Sequence, residues 1–413
     1  MIVLYYLVHG VILCGLAYWL YRSHRDPLFW PGLVFKIICG AGVGLLYLWH
    51  YNGGDTLLFF DDAIFLSRQA IQSPGEYVRF LWDERGSPWL AELTYSQYRS
   101  LFFVKAISLV ALFTFQQYWL VAAWCSFLSF LGCWLLYRTL GSLWPEGRLA
   151  AAISLLFFPS FVFWSAGVIK ESLAVAGLMV ISAVLLRALA GKAHKAEVLL
   201  FVVSAWLVWA LKYYWLAVWL PVAVSLVVHQ IWKARSRTAG HTVVALAASL
   251  VVLVGVIQLH PNFDLGYLPT VIVENNRAYT ASGGADHAFA FADLEANWGS
   301  ILVHAPWAAF SGIFRPLPGE SVNFLSLVFS LENGIVLLLA LWALVRWVRI
   351  RELNSWMMAV ILYSLSLAAF LALSTPNFGS LARYKTGFIP FLVCLILFQH
   401  PVVRRLQTRV KFP

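Results

Sequence analysis

Charged residues are scarce in this sequence. Asp, Glu, Lys and Arg together make up 12% of the 413 residues, whereas 61% are hydrophobic and the mean hydropathy is +0.78. A soluble globular domain usually contains about 25% charged residues. The composition therefore excludes a soluble globule and predicts an all-α polytopic membrane protein.

Cysteine is rare as well, and its placement offers no obvious site. The five cysteines lie inside apolar runs, without the Cys/His spacing of a zinc site or a disulfide framework, so we expect packing residues and no metal site among them. The net charge of +10 is dispersed between the apolar runs, which argues against nucleic acid as a partner.

Tandem repeats, low-complexity tracts and a separate soluble domain are also missing. We therefore expect residues 1–413 to form a single transmembrane domain. No short apolar segment with a small-residue cleavage site is visible at the start, and residues 2–21 are interpreted as a retained helix.

Long apolar runs, in contrast, are abundant. A run of about 18 residues or more is long enough to cross a bilayer as a helix. The sequence predicts about eleven transmembrane helices, near residues 3–21, 32–50, 118–137, 149–167, 171–189, 197–212, 214–231, 242–259, 326–345, 355–373 and 386–399. The run 101–115 is shorter and contains Lys105; it is either a twelfth span, which would reverse the sidedness of everything before it, or an interfacial or re-entrant segment, which the charge distribution favours.

The distribution of charge predicts the topology. With eleven spans, most of the 29 Lys and Arg residues lie on one side of the membrane and most of the 19 acids on the other. Loops rich in Lys and Arg stay cytoplasmic, which places the amino terminus outside and the carboxyl terminus inside. The insertions 51–117 and 260–325 then face outside, and the polar residues of 57–71 recur at the spacing of an amphipathic helix on the outer leaflet.

Three aspartates follow the second predicted span. Asp55 comes directly after two glycines, which permit a sharp turn, and Asp61 and Asp62 follow one to two helical turns later. Asp55 capping the next helix is one interpretation. The other is that these carboxylates accept a proton from a hydroxyl nucleophile or bind a cation at the mouth of a cavity.

Two further predicted outer turns carry cations. Lys170 and Glu171 lie between two apolar runs with almost no loop, where uncovered charge is costly, and Lys212 is followed by Tyr213 in an aromatic stretch. An ordinary surface ion pair and an aromatic belt are the structural alternatives. The functional interpretation makes Lys170 and Lys212 phosphate ligands, with Glu171 as the partner of Lys170 or as a base.

The last outer turns supply the remaining candidates. Prolines hold Arg315 and Glu320 on an extended turn, and Glu332 falls in the next span, where it needs a cation such as Arg315 or Arg383. Near the end of the chain stand Arg383, Tyr384 and Lys385. Arg383 and Lys385 lie on the predicted outer side, where the positive-inside bias disfavours cations. Their side chains either snorkel towards the outer head groups or bind phosphate or pyrophosphate.

These motifs together resemble a group of bacterial multispan proteins. The residues concerned are Gly53-Gly54-Asp55-Thr56, the run from Phe158-Pro159-Ser160 to Lys170-Glu171, Phe314-Arg315-Pro316, Leu331-Glu332-Asn333, and Ala382-Arg383-Tyr384 with Pro390. Taken in order they resemble GT-C type glycosyltransferases and, more loosely, the polysaccharide polymerases of surface-polysaccharide assembly. The resemblance implies a GT-C-like fold, with Asp55 as catalytic base and with Lys170, Arg315 and Arg383 holding the phosphate of a lipid-linked donor.

The chain departs from the commoner GT-C pattern at two points. It has an extra helix before the acidic loop and lacks a carboxyl-terminal soluble domain, so Asp61 and Asp62 stay open as alternative bases. Tyr213, Glu320, Glu332 and Tyr384 are expected to support the site.

The expected function is that of a membrane glycosyltransferase or glycan polymerase that uses a polyprenyl-(pyro)phosphate-linked sugar. It would act on the outer face of the bacterial cytoplasmic membrane in surface polysaccharide or glycolipid assembly, beside membrane lipid and other assembly proteins. No cofactor is assigned, and a divalent metal stays an alternative. A transporter or flippase of an anionic lipid-linked glycan is the second hypothesis, and a noncatalytic assembly scaffold is the third.

Overall fold

The computed structural model is helical throughout the residues that it describes. These are residues 1–235, 263–283, 289, 291–320, 324–350, 354–398 and 400–409, with isolated positions between 244 and 255. No extended strand occurs in these ranges. The fold class expected from the composition, an all-α polytopic membrane protein, agrees with this architecture.

The helices are labelled here in chain order. The first nine are α1 (Ile2–Arg22), α2 (Phe29–Leu45, continued by the π-helical Leu46–His50), α3 (Asp55–Gln72), α4 (Pro74–Trp82), α5 (Tyr98–Phe113), α6 (Tyr118–Leu143), α7 (Arg148–Ala152), α8 (Pro159–Phe163) and α9 (Lys170–Leu189). The rest are α10 (Ala196–Arg235), α11 (Leu268–Gly283), α12 (Trp298–Phe314), α13 (Phe324–Ile350), α14 (Ser355–Ser374), α15 (Phe378–Tyr384), α16 (Ile389–Phe398) and α17 (Pro401–Arg409).

Seven of these helices are long and apolar enough to cross a membrane within the described ranges. They are α1, α2 with its π-helical end, α6, α9, α10, α13 and α14. The residues of α15 and α16 make an eighth if they count as one span bent by 66°. The number is lower than the eleven predicted, for reasons that differ from one segment to the next.

Two predicted spans correspond to the two parts of α10, and another predicted span is divided. Spans 197–212 and 214–231 fall on either side of Lys212, whose non-helical backbone (φ −145°, ψ 59°) separates two helical segments. The predicted span 149–167 is divided into α7, the π-helical turn Ile153–Phe157 and α8, because Pro159 can begin a helix but not continue one. Most of the predicted span 242–259 lies outside the described residues.

Helix α5 is the element whose role the sequence left open. It has 16 residues, fewer than the 20 or so that a transmembrane helix needs, and it packs mainly against α3, with further contacts to the long helices α6 and α10. Its Lys105 forms an ion pair with Glu84 over 2.7 Å. Together α3, α4 and α5 form a layer within the segment 51–117.

The long helices pack as a series of neighbours. Helix α6 lies between α2 and α9, α9 contacts α10, and α10 contacts α14, which also packs on α11 and α12. Small residues let neighbours approach closely, as at Gly132 of α6, where an added Cβ would lie 2.5 Å from the Ala176 carbonyl oxygen of α9.

Buried polar residues gather at two opposite ends of this bundle. Asp26 precedes α2 and Asp55 follows it, and the 22 residues between Phe29 and His50 span about 33 Å at 1.5 Å per residue. That length matches the hydrocarbon core of a bilayer, about 30 Å. We call these two regions the Asp26 end and the Asp55 end.

Candidate functional site at the Asp55 end

Glu171 is the centre of a buried ionic cluster at the Asp55 end. Its side chain is fully buried at the start of α9. Oε1 lies 2.6 Å from Nζ of Lys212 in α10, and Oε2 lies 2.9 Å from Nε of Arg383 in α15, although the latter pair lacks the alignment of a hydrogen bond. One buried carboxylate thus connects two cations from distant parts of the chain.

Arg383 extends this cluster to Asp55. Its Nη1 donates to Oδ2 of Asp55 over 2.7 Å and to the hydroxyl of Tyr47 over 3.3 Å. The Tyr95 hydroxyl donates to the other carboxylate oxygen of Asp55 over 2.7 Å. The side chain of Arg383 is 8% exposed and that of Asp55 is 39% exposed, so Asp55 is the accessible end of the cluster.

The surroundings of Asp55 keep it ionised. Partial burial acts to raise its pKa, but Arg383, the Tyr95 hydrogen bond and nearby Lys170 outweigh burial and hold the pKa below its ordinary value of 3.8. The same contact acts on Tyr95, whose pKa is raised by burial and by its hydrogen bond to the carboxylate. Asp55 is therefore a charged acceptor at neutral pH.

The turn before α3 explains the position of Asp55. Gly54 takes φ 104°, a conformation that L side chains rarely adopt, and it occupies the N-cap position. Asp55 is consequently the first residue inside the helix and not its cap, which is the role that one sequence interpretation gave it. A carboxylate in the first turn is favoured by the helix dipole, and here the side chain is free to contact Arg383.

A second glycine positions Lys170 and Glu171. Gly167 takes φ 76°, its N–H donates to Ser126 Oγ over 3.0 Å, and an added Cβ would lie 2.9 Å from the carbonyl oxygen of Gly40. This close contact fixes the irregular segment between α8 and α9 against α2 and α6. Helix α9 therefore begins at Lys170 with a defined orientation.

Lys170 and Glu171 do not pair with one another, contrary to the expectation from their adjacency. Consecutive residues on a helix point about 100° apart. Glu171 faces Lys212 and Arg383, whereas half-buried Lys170 donates to Ser100 Oγ over 3.2 Å and lies 5.0 Å from the centre of the Phe59 ring. Glu171 was predicted to be the partner of Lys170, but in the structure it pairs with Lys212 and Arg383.

Lys212 enters the cluster through the break in α10. Its non-helical backbone interrupts the helix, and its side chain is 3% exposed. Nζ lies 4.1 Å from the centre of the Tyr384 ring, so the ammonium group is held between a carboxylate and an aromatic face. Lys212 and Tyr384, both candidates from the sequence, therefore belong to this cluster.

The other two aspartates of α3 differ from Asp55. Asp62 is 4% exposed, and its oxygens accept from the backbone N–H groups of Thr94 and Tyr95, each over 3.0 Å, so it ties α3 to the loop before α5. Asp61 is exposed, and burial together with neighbouring Asp62 raises its pKa. Within the described ranges, neither residue forms a hydrogen bond or an ion pair with the Glu171 cluster.

Arg315 and Glu320 form a separate pair. The Arg315 guanidinium lies 2.5 Å from Oε1 of Glu320 and 4.7 Å from the centre of the Phe289 ring. Glu320 also accepts from the N–H of Leu317 over 2.7 Å, which closes the turn. The structure does not bring Arg315 into contact with Asp55 or Glu171 among the described residues.

Lys385 and Glu332 also have partners other than those expected. Lys385 is buried and donates to the carbonyl oxygens of Ile313 and Arg315 and to Asn333 Oδ1, over 2.9, 2.7 and 3.3 Å. These bonds use its three donors, which leaves none for a phosphate or a lipid head group. Glu332 accepts from the N–H of Ser160 over 3.0 Å and from its hydroxyl, instead of pairing with Arg315 or Arg383.

Several residues of this region were not found by sequence reasoning. Tyr47 and Tyr95 contact Arg383 and Asp55, and Ser100 contacts Lys170. Next to Ser100, the Arg99 guanidinium lies 5.2 Å from the centre of the Tyr213 ring. Of these residues, only Arg99 could have been predicted from the sequence, because it is a cation in the same predicted outer segment as Asp55.

One apolar cavity of the bundle lies away from these charges. Its volume is about 380 Å³, and it is lined by side chains of α6, α9, α10, α14 and α16, including Leu140, Ser182, Trp219 and Tyr363. Ser182 lies 11 residues beyond Glu171 on α9, about 16 Å along the helix. The described residues contain no group of three or more His, Cys, Asp or Glu side chains that could hold a metal ion.

The cluster thus offers an accessible carboxylate, a buried counter-ion network and adjacent cations on one end of a membrane-embedded bundle. Comparisons with protein families, with curated proteins and with solved structures found no match for this chain.

Proposed function

We propose that the protein is a membrane glycosyltransferase or glycan polymerase that uses a polyprenyl-(pyro)phosphate-linked sugar. The observation that supports this proposal is the accessible Asp55 carboxylate, held by Arg383 and Tyr95 beside half-buried Lys170. A carboxylate next to a cation combines a proton acceptor with a group that stabilises a phosphate leaving group.

In this proposal Asp55 is the general base. A hydroxyl oxygen of the acceptor attacks the anomeric carbon of the donor and transfers its proton to Asp55. The bond between the anomeric carbon and the phosphate oxygen breaks, and its electron pair stays on the phosphate. Because the pKa of Asp55 is held low, proton transfer is favourable only as the new bond forms and the hydroxyl becomes acidic.

The cations have different parts in this scheme. Arg383 is bound to two carboxylates, so it positions Asp55 rather than binding the donor. Lys212 is bound to Glu171 in the interior and acts through that network. Lys170, which donates to the hydroxyl of Ser100, is the cation that stabilises the leaving phosphate.

The direction of the site follows from the charge distribution of the sequence. The Asp55 end contains the segment 51–117, which the positive-inside bias places outside the cytoplasmic membrane of a bacterium. A lipid-linked donor would then be used at the outer leaflet, in surface polysaccharide or glycolipid assembly.

Replacement of Asp55 tests this function. The full-length protein is placed in proteoliposomes with lipid-linked sugars extracted from native membranes, and new glycosidic product is measured. General-base catalysis contributes roughly 100- to 10,000-fold, so Asp55→Asn should lower the rate by about that factor. Asp83→Asn is the matched control, because Asp83 is 45% exposed and pairs with Arg85 in the same segment.

Normal product from Asp55→Asn would refute Asp55 as the base. If Asp61→Asn then lost the activity, the base would be Asp61, whose raised pKa makes it the stronger proton acceptor. If the wild-type protein formed no product from any lipid-linked sugar, the transferase proposal itself would fail.

A transporter or flippase is the second candidate, and the buried Glu171–Lys212 pair favours it. Ionisable residues inside a membrane bundle, at a broken helix, are typical of carriers that couple transport to protons. Translocation of a fluorescent lipid-linked glycan across the liposome without glycosidic product would support this alternative and contradict the transferase.

A further inference from the structure

Lys170 and Arg99, at the Asp55 end, have no carboxylate partner in the described part of the chain, and unlike Lys385 they do not use all of their donors on backbone and amide oxygens. Lys212 and Arg383 are paired with Glu171 and Asp55, but neither Lys170 nor Arg99 forms an ion pair there. Both are half-buried. A partly desolvated cation without a counter-ion is costly, and a ligand anion would remove that cost.

Arg99 lies in the first turn of α5, and Lys170 contacts the residue that follows it. Ser100, the residue after Arg99, accepts a hydrogen bond from Lys170 over 3.2 Å. Arg99 itself lies over the ring of Tyr213, the residue after Lys212. Two contacts therefore place the first turn of α5 against both α9 and α10, with one cation from α5 and one from α9 at the junction.

We infer that Arg99 and Lys170 form a binding subsite for the phosphate group of an amphiphilic phosphate ester. The guanidinium offers a planar pair of donors to phosphate oxygens, and the ammonium adds a point charge. The guanidinium carbon of Arg99 lies 5.2 Å from the centre of the Tyr213 ring, a cation–π contact that holds the charge at this junction.

Exposed apolar rings beside the subsite favour a lipid over a soluble phosphate. Phe102, one turn after Arg99, packs edge-to-face against Trp206 of α10, which is 55% exposed. Tyr98, the residue before Arg99, is 62% exposed. Aromatic rings of this kind lie at membrane interfaces, where the phosphate of a lipid also lies.

This inference rests on the proposed function only in identifying the bound phosphate ester with the sugar donor. It adds Arg99 to Lys170 as a residue that binds the phosphate of the donor. Binding can be measured without catalysis. The full-length protein in phosphatidylcholine nanodiscs is titrated with farnesyl phosphate, with farnesol and with inorganic phosphate, and binding is followed by thermophoresis.

Arg99→Gln and Lys170→Gln should each weaken binding of farnesyl phosphate by about tenfold or more, because each removes a charge-assisted hydrogen bond. Arg85→Gln is the matched control, since Arg85 is 87% exposed and already paired with Asp83, and it should change binding by less than about twofold. Arg99→Lys keeps the charge without the planar donor pair and should give an intermediate loss; melting temperatures show that each variant is folded.

The three ligands separate the possible sources of the phosphate. Tight binding of farnesyl phosphate with weak binding of farnesol and inorganic phosphate supports a lipid phosphate. Equal binding of inorganic phosphate, lost in Arg99→Gln, supports the subsite with a soluble phosphate ligand. Binding of farnesyl phosphate by Arg99→Gln and Lys170→Gln as tightly as by Arg85→Gln would overturn the inference, as would equal binding of farnesol.

Failure of the subsite and failure of the proposed function give different results. Charge-dependent binding in a protein that forms no glycosidic product keeps the subsite and refutes the transferase. Product formation that Asp55→Asn abolishes and Arg99→Gln leaves unchanged keeps the transferase and overturns the subsite.

Discussion

The Asp26 end and the Asp55 end of the bundle both contain a fully buried carboxylate, but they differ in access. Asp26 accepts from the N–H of Leu28 over 3.0 Å, from the Tyr137 hydroxyl over 2.9 Å and from Arg148 over 2.6 Å, and its side chain is fully buried. Both of its oxygens have partners and neither is open to a ligand.

At the Asp55 end the buried carboxylate is one part of a larger arrangement. Glu171 is as deeply buried as Asp26, but through Arg383 it is connected to Asp55, which is 39% exposed, and Lys170 and Arg99 lie alongside. Burial of charge alone therefore does not mark a functional site. The difference lies in an accessible acid next to cations that have no carboxylate partner within the described ranges.

The largest effect should come from neutralising Glu171. Glu171→Gln leaves Lys212 and Arg383 without their buried counter-ion, and loss of one partner of a buried pair costs about 3–5 kcal/mol. The melting temperature of the detergent-solubilised protein should fall strongly. Thermal melting followed by gel filtration checks this.

The double variant Glu171→Gln with Lys212→Met is the control for Glu171→Gln. It removes one of the two stranded cations, so it should melt at a higher temperature than Glu171→Gln alone. If Glu171→Gln melted like the wild-type protein, the buried network would not hold α9, α10 and α15 together as described.

A smaller effect is expected at the other end. Arg148→Gln removes one charged donor from Asp26 but leaves Tyr137 and the N–H of Leu28, so the loss of stability should be about 2–3 kcal/mol. At a temperature where the variant is folded, glycosyl transfer and binding of farnesyl phosphate should be unchanged, because the Asp26 end contributes no group to the site.

Arg148→Gln thus tests the contrast between the two ends directly. Loss of transfer by the folded variant would show that the Asp26 end has a part in function and that access does not separate the two clusters. Arg85→Gln provides the background, as an exposed cation whose replacement should affect neither stability nor transfer.

Much of the candidate site could be predicted from the sequence because ionisable residues stand out in an apolar chain. Five candidates from the sequence lie together at the Asp55 end of the bundle, namely Asp55, Lys170, Glu171, Lys212 and Arg383. Their pairing could not be predicted. Arg383 and Asp55 are 328 residues apart, and no local pattern says which cation meets which carboxylate.

Some predictions assumed that residues adjacent in the sequence contact each other or the same partners, but consecutive side chains on a helix point in different directions. Lys170 and Glu171 suggested an ion pair, yet their side chains diverge at the start of α9. Lys385 stands two residues after Arg383 but binds backbone carbonyls instead of joining the cluster. Tyr95 could not be predicted as a site residue, because nothing in the sequence distinguishes a tyrosine in a polar loop. Only the structure shows that its hydroxyl donates to Asp55.

Tyr95→Phe should have a modest effect on the accessible acid. It removes a hydrogen bond to Asp55 and should cost about 1 kcal/mol of stability. Since that bond lowers the pKa of Asp55, the variant should have a higher pKa there, and the acid limb of the transfer rate against pH should move to higher pH. Tyr98→Phe is the control, as Tyr98 is exposed on the same segment; an unchanged acid limb in Tyr95→Phe would contradict a role for this bond.

The smallest expected effect is the contribution of Asp55 to stability against acid. Its pKa in the folded protein lies below the ordinary value, so ionised Asp55 stabilises the fold above a pH of about 4 and this contribution is lost as the pH falls through the folded pKa. Melting temperatures measured between pH 6 and pH 3, a range set by that ordinary value, should fall less steeply for Asp55→Asn than for the wild-type protein. The effect is small because solvent screens a side chain that is 39% exposed. Equal slopes for Asp55→Asn and the wild-type protein would mean that contact with Asp55 is not needed to hold Arg383, and that Glu171 alone holds it in place.

Asp26 should behave differently. Because its side chain is enclosed and both of its oxygens are bonded, Asp26→Asn should lower the melting temperature across the whole range, at neutral pH as well.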